Sequence, residues 1–361
     1  MANNISSGGR KTSQTATFTP LDFIEFVFYV DIPIIFVPMG ILVNILILYA
    51  FSTRRLNVAR QHRYYYIVTA IGDILAVIGR YLLLSFLGNG LYALSGYSIQ
   101  YYFSTFSLFH CLFSYNMWAV GEMVSNYTMS VFCIERFLSV SFPLHAKSWI
   151  TFKRAVISHC MLLLPLTVYE VFHMVMTHTL IKSSSTAVGF KCGTDSTLPY
   201  IVTFTWINNF VLKYGHMVTS FIFNILLIIN IRRGNFARQK LMSNASAISA
   251  KSEQVSRSEI GTTIIILLAS FVTIVVWVPH SVFGQMNYIL GNMAIDDPAI
   301  KSSSLYNFIQ EWYSLSYTGL LFSHVTNFWI LAFRMRAFRN LILCHSVTYF
   351  SRQSTSQNPK Y

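Results

Sequence analysis

Seven long apolar segments divide this sequence, and they constrain its fold more than any other feature. A lipid bilayer has a hydrocarbon core about 30 Å thick, which a helix of roughly 20 apolar residues crosses. The segments that reach this length are residues 26–51, 64–88, 105–137, 155–176, 202–231, 260–286 and 308–332. Only 11% of all residues are charged, whereas soluble domains carry roughly 25%. The sequence therefore excludes a soluble globular domain and predicts a membrane protein.

Each apolar segment is predicted to be a helix, because an isolated strand would leave its backbone groups without hydrogen-bond partners in lipid. The predicted fold class is an all-α membrane protein, a seven-transmembrane helix bundle at residues 26–332 with an extracellular tail at 1–25 and a cytoplasmic segment at 333–361. This orientation places most of the 26 Lys and Arg residues on the cytoplasmic side, as the positive-inside rule requires. The net charge of +13 is thus assigned to the inner membrane face, where anionic lipid lies, and not to nucleic acid.

The third segment ends in the triplet Glu135-Arg136-Phe137, and Cys111 lies 25 residues before Arg136, near the outer end. This pattern resembles rhodopsin-like (class A) G-protein-coupled receptors, whose third helix begins with a disulfide cysteine and ends in Asp/Glu-Arg-Tyr. The resemblance covers all seven segments. Further matching residues are Gly40 and Asn44 in the first segment, Asp73 in the second, Trp277 and Pro279 in the sixth, Asn327 in the seventh, and Phe338 at the start of a short amphipathic eighth helix.

The resemblance implies a disulfide and a switch. The disulfide would join Cys111 to Cys192 in the second outer loop. The switch would be a pairing of Arg136 with Glu135 and Glu259, which holds the inner ends of the third and sixth helices together. A bound ligand would favour the open state that accepts a G protein. The alternative for Glu259 is an ordinary solvated charge at a helix start.

Three residues of the third and seventh helices depart from the family pattern. Phe137 stands where the third helix usually has tyrosine, and Phe328 and Leu331 replace the proline and the tyrosine of the seventh helix. The missing hydroxyl at Leu331 puts in doubt the water-mediated tyrosine contact of the family's active state.

Asp73 resembles the aspartate that binds sodium in the bundle centre of the family. The oxygen-bearing side chains expected near it are those of Ser125, Ser323 and Asn327. A carboxylate with hydroxyl and amide oxygens suits a hard cation such as Na⁺, and a water-filled hydrogen-bond network is the alternative. No other metal and no organic cofactor is expected.

The ligand site is expected in the outer half of the bundle, where clefts form between helices. Trp118 stands where monoamine receptors carry an aspartate, and residues 308–332 contain no lysine for a retinal Schiff base. A simple amine ligand is therefore disfavoured, and retinal attachment in this segment is excluded. The residues predicted to line the site are Arg80, Trp118, Glu122, Lys213, Trp277, His280, Glu311 and Tyr317.

The charge of the ligand is left open by two opposing features. The acids predicted at the outer rim are Asp22, Glu25, Asp31, Glu170, Asp195, Asp296, Asp297 and Glu311. An acidic, aromatic rim favours a cationic ligand through steering and cation–π contact. Arg80 and Lys213 instead favour a carboxylate.

The stretch from Glu135 to Lys147 is similar to the second inner loop of invertebrate neuropeptide receptors, including those for amidated peptides. The resemblance implies a plasma-membrane receptor that binds an extracellular peptide and activates a heterotrimeric G protein, with arrestin and membrane lipid as further partners. Within the family, the alternative is a chemosensory receptor for a small molecule. Outside it, the alternative is a seven-span ion channel or transporter, which predicts internal repeats or an inside N-terminus that the sequence does not show.

The sequence does not predict an enzyme, because it has no nucleophile motif and its histidines lack metal-ligand spacing. The histidines considered are His159, His173, His178, His280 and His324, which are interpreted as scattered helix residues. Two modifications are expected on the tails, glycosylation of Asn4 outside and palmitoylation of Cys344 inside.

Overall fold

The described part of the chain contains seven long helices, one for each predicted apolar segment. A computed structural model of the chain describes residues 32–53, 56, 58–96, 98–99, 101–182, 190–194, 201–242 and 250–342. The bundle helices are α1 (Ile32–Ser52), α2 (Arg60–Ala76, continued by π-helical turns over Val77–Gly90), α3 (Leu108–Ser141), α4 (Phe152–Thr177), α5 (Gly215–Met242, preceded by Ile201–Ile207 and π-helical turns over Asn208–Tyr214), α6 (Ala250–Asp296) and α7 (Ser304–Arg334). Among the described residues, α1, α2, α4, α5 and α6 are long and apolar enough to cross a membrane. The other two, α3 and α7, carry more polar residues.

Local capping chemistry sets where several helices begin. Ser107, Thr151 and Ser303 precede α3, α4 and α7, and each side chain accepts a hydrogen bond from a backbone N–H of the first turn. A short helix between α3 and α4, Pro143–Trp149, has proline in its first turn, where the missing N–H costs nothing. These residues therefore fix where each of the helices begins.

The observed helices extend beyond the apolar segments, because polar turns at a helix end do not contribute to hydropathy. The clearest case is α6, which covers Ala250–Asp296 although its apolar segment is only 260–286. Residues 26–31, predicted as the start of the first span, lie outside the described residues, as do Asn4 and Cys344.

A β-hairpin follows α4 and is tied to the start of α3. Its strands, β1 (His178–Lys182) and β2 (Phe190–Thr194), pair antiparallel with Leu180 opposite Cys192. Cys192 forms a disulfide with Cys111, with 5.5 Å between the two Cα atoms. The predicted disulfide is therefore confirmed, and it fixes the hairpin against α3.

Glycines allow α2 and α3 to touch backbone to backbone. A Cβ atom on Gly72 would lie 2.7 Å from the nitrogen of Ser125 and 2.8 Å from the carbonyl oxygen of Gly121. A Cβ atom on Gly79 would lie 2.9 Å from the carbonyl oxygen of Ser114. No side chain fits between the two helices at these levels, so the polar residues of α2 lie directly against those of α3.

A short helix after α7 packs under the bundle. This helix, α8 (Arg336–Ile342), buries Phe338, whose ring centre lies 6.0 Å from that of Phe51 in α1. The predicted eighth helix is therefore present, and Phe338 attaches it to the core.

Candidate functional site

A cavity of about 440 Å³ lies between the helices in the part of the bundle next to the hairpin. Residues of α2 to α7 line it together with Gly193 and Thr194 of β2. Its volume lies in the range of about 300–1,000 Å³ that is usual for small-molecule sites. The predicted residues that the structure brings together in its wall are Arg80, Trp118, Glu122, Lys213, Trp277, His280 and Tyr317.

Glu311 does not belong to this cavity, contrary to the prediction. Its side chain is exposed, and it is absent from the lining, whereas Tyr313 and Tyr317 line the cavity from the same helix. Successive helical residues are about 100° apart, so Glu311 lies about 200° around α7 from Tyr313. Tyr313 was missed, although it precedes Tyr317 by one helical turn.

Arg80 lies in the cavity wall between residues of two other helices. The central carbon of its guanidinium is 4.3 Å from the ring centre of Trp118 in α3 and 3.9 Å from that of Tyr317 in α7. Both contacts have the geometry of cation–π interactions. Among the ion pairs of the described residues, none involves Arg80.

The wall formed by α4 and α5 contains a buried polar cluster. The amide nitrogen of Asn208 lies 3.2 and 3.0 Å from the two carboxylate oxygens of Glu170 and 2.8 Å from Nδ1 of His173. Glu170 is only 5% exposed, which corrects its assignment to the outer rim. His173, interpreted from the sequence as a scattered helix residue, lies three residues after Glu170 and contacts the same Asn208.

Of the other acids predicted at the outer rim, only Asp297 and Glu311 have described side chains, and both are exposed. Asp297 accepts a hydrogen bond of 3.0 Å from the backbone nitrogen of Ala299, so it caps its own helical turn. The remaining acids whose side chains lie outside the described residues are Asp22, Glu25, Asp31, Asp195 and Asp296. Among the described residues, only the exposed Asp297 and Glu311 therefore support the preference for a cationic ligand.

His178, at the start of β1, adds a neutral group to the cavity. Burial, together with the nearby His173 and Lys213, lowers the pKa of His178 to about 4. Its imidazole is therefore uncharged at neutral pH, and its Nδ1 lies 3.0 Å from the Thr177 hydroxyl. The positive charge of this cavity thus comes from Lys213 and Arg80.

A second site lies in the bundle centre around Asp73, which is 1% exposed. Oδ1 of Asp73 accepts a hydrogen bond of 2.6 Å from Ser125 and lies 2.8 Å from Nδ1 of His324. Oδ2 accepts one of 3.1 Å from Asn327. Ser323 donates to the carbonyl of Leu320 in its own helix, and the side chain that contacts Asp73 from this turn of α7 is that of His324.

The residues around Asp73 do not fit a sodium ion. Sodium requires several oxygen ligands, but three protein groups already contact the two carboxylate oxygens, and one of them is the His324 nitrogen. Because an ionised carboxylate only accepts hydrogen bonds, Nδ1 of His324 is assigned as the donor. The contacts around Asp73 form a direct hydrogen-bond network between protein side chains.

A third cluster lies at the inner end of α3. The Nη2 atom of Arg136 donates to Nδ1 of His62 over 3.1 Å, and Nε2 of His62 lies 3.7 Å from a carboxylate oxygen of Glu135. The imidazole of His62, from α2, therefore accepts a hydrogen bond from Arg136 and lies beside Glu135 at more than hydrogen-bond distance. The side chain of Glu259 lies outside the described residues, so its pairing with Arg136 stays a prediction.

Aromatic and aliphatic packing replaces the polar contacts at the three departures from the family pattern. The ring of Phe137 lies 5.4 Å from that of Phe223 in α5. The ring of Phe328 lies 5.6 Å from that of Phe338 in α8, and Leu331 is fully buried in the same core. At these positions the inner half of the bundle is joined by apolar contacts.

Comparison with known proteins agrees with this architecture. The sequence matches no family model and no curated protein. The structure is similar to the crystal structure of squid rhodopsin, with a TM-score of 0.66 and 15% sequence identity, over 90% of this chain and 81% of that one. This likeness confirms the fold as a rhodopsin-like seven-helix bundle.

Proposed function

We propose that the chain is a rhodopsin-like G-protein-coupled receptor, which binds an extracellular ligand in the outer cavity and activates a G protein at the inner end of α3. One observation carries the proposal: the same helix places Trp118 and Glu122 in the cavity and buries Glu135 and Arg136 at its other end. A ligand contact is thereby connected to an inner switch through one continuous element, α3. The proposed activity is signal transduction and not catalysis.

The proposed ligand is a peptide whose terminal residues enter the cavity. A volume of about 440 Å³ holds only a few side chains, so the rest of a peptide would contact the hairpin strand that carries Gly193. The similarity of the stretch after Glu135 to neuropeptide receptors supports this choice. The same volume also suits one small molecule, which keeps a chemosensory receptor as the second candidate.

The proposed switch begins at the cavity floor. The ring of Trp277 meets those of His216 and His280 edge to face, at centroid distances of 5.4 and 5.9 Å. Pro279 lies two residues further along α6, where proline leaves a helix hydrogen bond unmade and permits a swivel. A ligand that displaces His280 therefore favours a different tilt of α6, and the new state releases Arg136 to the G protein.

We place the protein in the plasma membrane with its N-terminus outside, as the distribution of basic residues supports. The hairpin and the cavity then face the extracellular side, and α8 lies along the inner leaflet. Anionic lipid, the G protein and arrestin would share this basic inner face.

Arg136→Ala is expected to abolish signalling while the protein still reaches the cell surface. The variant removes the cation that the G protein would contact, together with its hydrogen bond to His62. The measurement is a second-messenger response in cells with a promiscuous G protein, screened with a peptide library. Phe109→Ala, an exposed residue at the opposite end of the same helix, is the control and should respond normally. An unchanged Arg136→Ala response, or a ligand-gated current without any G protein, would contradict the proposal.

His62→Leu is expected to raise signalling without ligand, by several fold. Leucine removes one acceptor that holds Arg136 in the described state, so the active state becomes relatively more populated. The readout is the basal second-messenger level, normalised to the amount of protein at the surface. His110→Leu, at the outer end of α3, serves as the control and should leave the basal level unchanged. A basal level equal to wild type in His62→Leu would show that the hydrogen bond between His62 and Arg136 does not restrain Arg136.

A further inference from the structure

We propose that Arg80 is an anion subsite of the outer cavity and that the natural ligand presents a carboxylate to it. The inference rests on the proposed function, because it takes the cavity as the ligand site, and it names the chemistry recognised there. Three observations support it: two rings hold the guanidinium, Arg80 borders the cavity, and no described carboxylate forms an ion pair with it.

The guanidinium is held in place before any ligand arrives. Its central carbon lies over the rings of Trp118 and Tyr317, at 4.3 and 3.9 Å. The carbonyl of Tyr317 accepts a hydrogen bond of 2.9 Å from the hydroxyl of Tyr81, the residue next to Arg80. These contacts join α2 to α7 at the subsite. A preorganised side chain loses little conformational entropy when it binds an anion.

Arg80 forms no ion pair with a carboxylate of the described residues. No described carboxylate oxygen lies within 4.0 Å of it, since the ion pairs among these residues all involve histidines. Of the two acids in the cavity wall, Glu170 already accepts from Asn208, and Glu122 is not in salt-bridge contact with Arg80. Arg80 is partly buried, and a charged side chain inside a membrane bundle without an anion beside it is costly and points to a function.

A carboxylate fits this subsite better than an inorganic anion does. The planar fork of N–H donors matches the two oxygens of a carboxylate. The remaining cavity of about 440 Å³ presents aromatic rings, which an organic group would contact and a lone phosphate or chloride would leave uncovered. Lys213 in the same wall adds attraction for a negative ligand.

The test uses the purified full-length protein and a probe of matched shape. N-acetyl-phenylalanine carries a carboxylate, and its amide is the neutral counterpart with nearly the same size. The carboxylate is expected to raise the melting temperature and the amide to have little effect. Arg80→Gln should weaken carboxylate binding about tenfold or more, since it removes a charge-assisted hydrogen bond. Arg60→Gln is the control, because Arg60 has a similar ring contact of 4.2 Å to Phe152 but lies outside the cavity wall.

Equal stabilisation by acid and amide would overturn the proposal, and so would unchanged carboxylate binding in Arg80→Gln. Sulfate that stabilises as well as the carboxylate, and in an Arg80-dependent way, would overturn the assignment to an organic anion. The signalling screen is independent of these results. If peptides activate a G protein but Arg80→Gln changes neither binding nor potency, the subsite is wrong and the receptor stands. If the carboxylate binds through Arg80 and no G protein responds, the receptor function is wrong and the subsite stands.

Discussion

Gly121→Ala is expected to remove most of the folded protein from the cell surface. A Cβ atom at this position would lie 2.7 Å from the carbonyl oxygen of Gly72 and 2.9 Å from the carbonyl carbon of Leu75, both backbone atoms of α2. Backbone atoms cannot change rotamer as a side chain can, so α2 and α3 would have to move apart. Overpacking of this kind costs about 3 kcal/mol, which lowers cellular abundance several-fold. Surface labelling of a tagged variant measures the loss.

Gly291→Ala is the matched control, because it makes the same substitution inside α6. A Cβ atom there would meet nothing within 4 Å. Alanine in a helix is more favourable than glycine, so this variant should reach the surface at the wild-type level or above it. A surface level equal to wild type in Gly121→Ala would show that the two helices do not touch backbone to backbone. It would also weaken the placement of Arg80 against Trp118, which depends on the same contact.

The bundle could be predicted because lipid allows so few alternatives for a long apolar segment. Each predicted segment corresponds to one helix, since the backbone must satisfy its hydrogen bonds within the segment. The ends were less accurate, as with α6, where polar turns at residues 250–259 continue the helix outside the apolar segment. The hairpin could not be predicted from periodicity, because its two strands are only five residues long each.

The site residues that were missed are mainly histidines, which carry no fixed charge and so drew no attention as intramembrane ions. His62 lies 11 residues before Asp73, about three helical turns, so both lie on one face of α2. His324 precedes Asn327 by three residues and shares its face of α7. Charge alone predicts Glu311 in the cavity, although its spacing from Tyr313 puts it on another face of α7. Helical spacing was therefore the available signal in each case.

Asp73→Leu is expected to destabilise the protein strongly, and His324→Leu is expected to restore part of the loss. Removing the carboxylate leaves the donors of Ser125, His324 and Asn327 without their acceptor in a site where both Asp73 and His324 are at most 2% exposed. Breaking a buried pair of this kind costs about 3 kcal/mol. The double variant replaces both partners with apolar groups, so its loss should be smaller than the sum of the single losses by about 1–3 kcal/mol. Thermal unfolding of the purified variants measures this coupling.

Ser323→Ala supplies the control for this cycle, because Ser323 neighbours His324 but donates only to the carbonyl of Leu320. Its effect should add to that of Asp73→Leu without coupling.

The same purified samples test whether a sodium ion binds at Asp73. Because the His324 nitrogen lies where a sodium ligand would be needed, replacing NaCl with choline chloride at equal ionic strength should leave the wild-type melting temperature unchanged. Any ligand that binds only the native state raises that temperature by mass action. A sodium-dependent rise in the wild type would therefore show that the cation displaces His324 from Asp73.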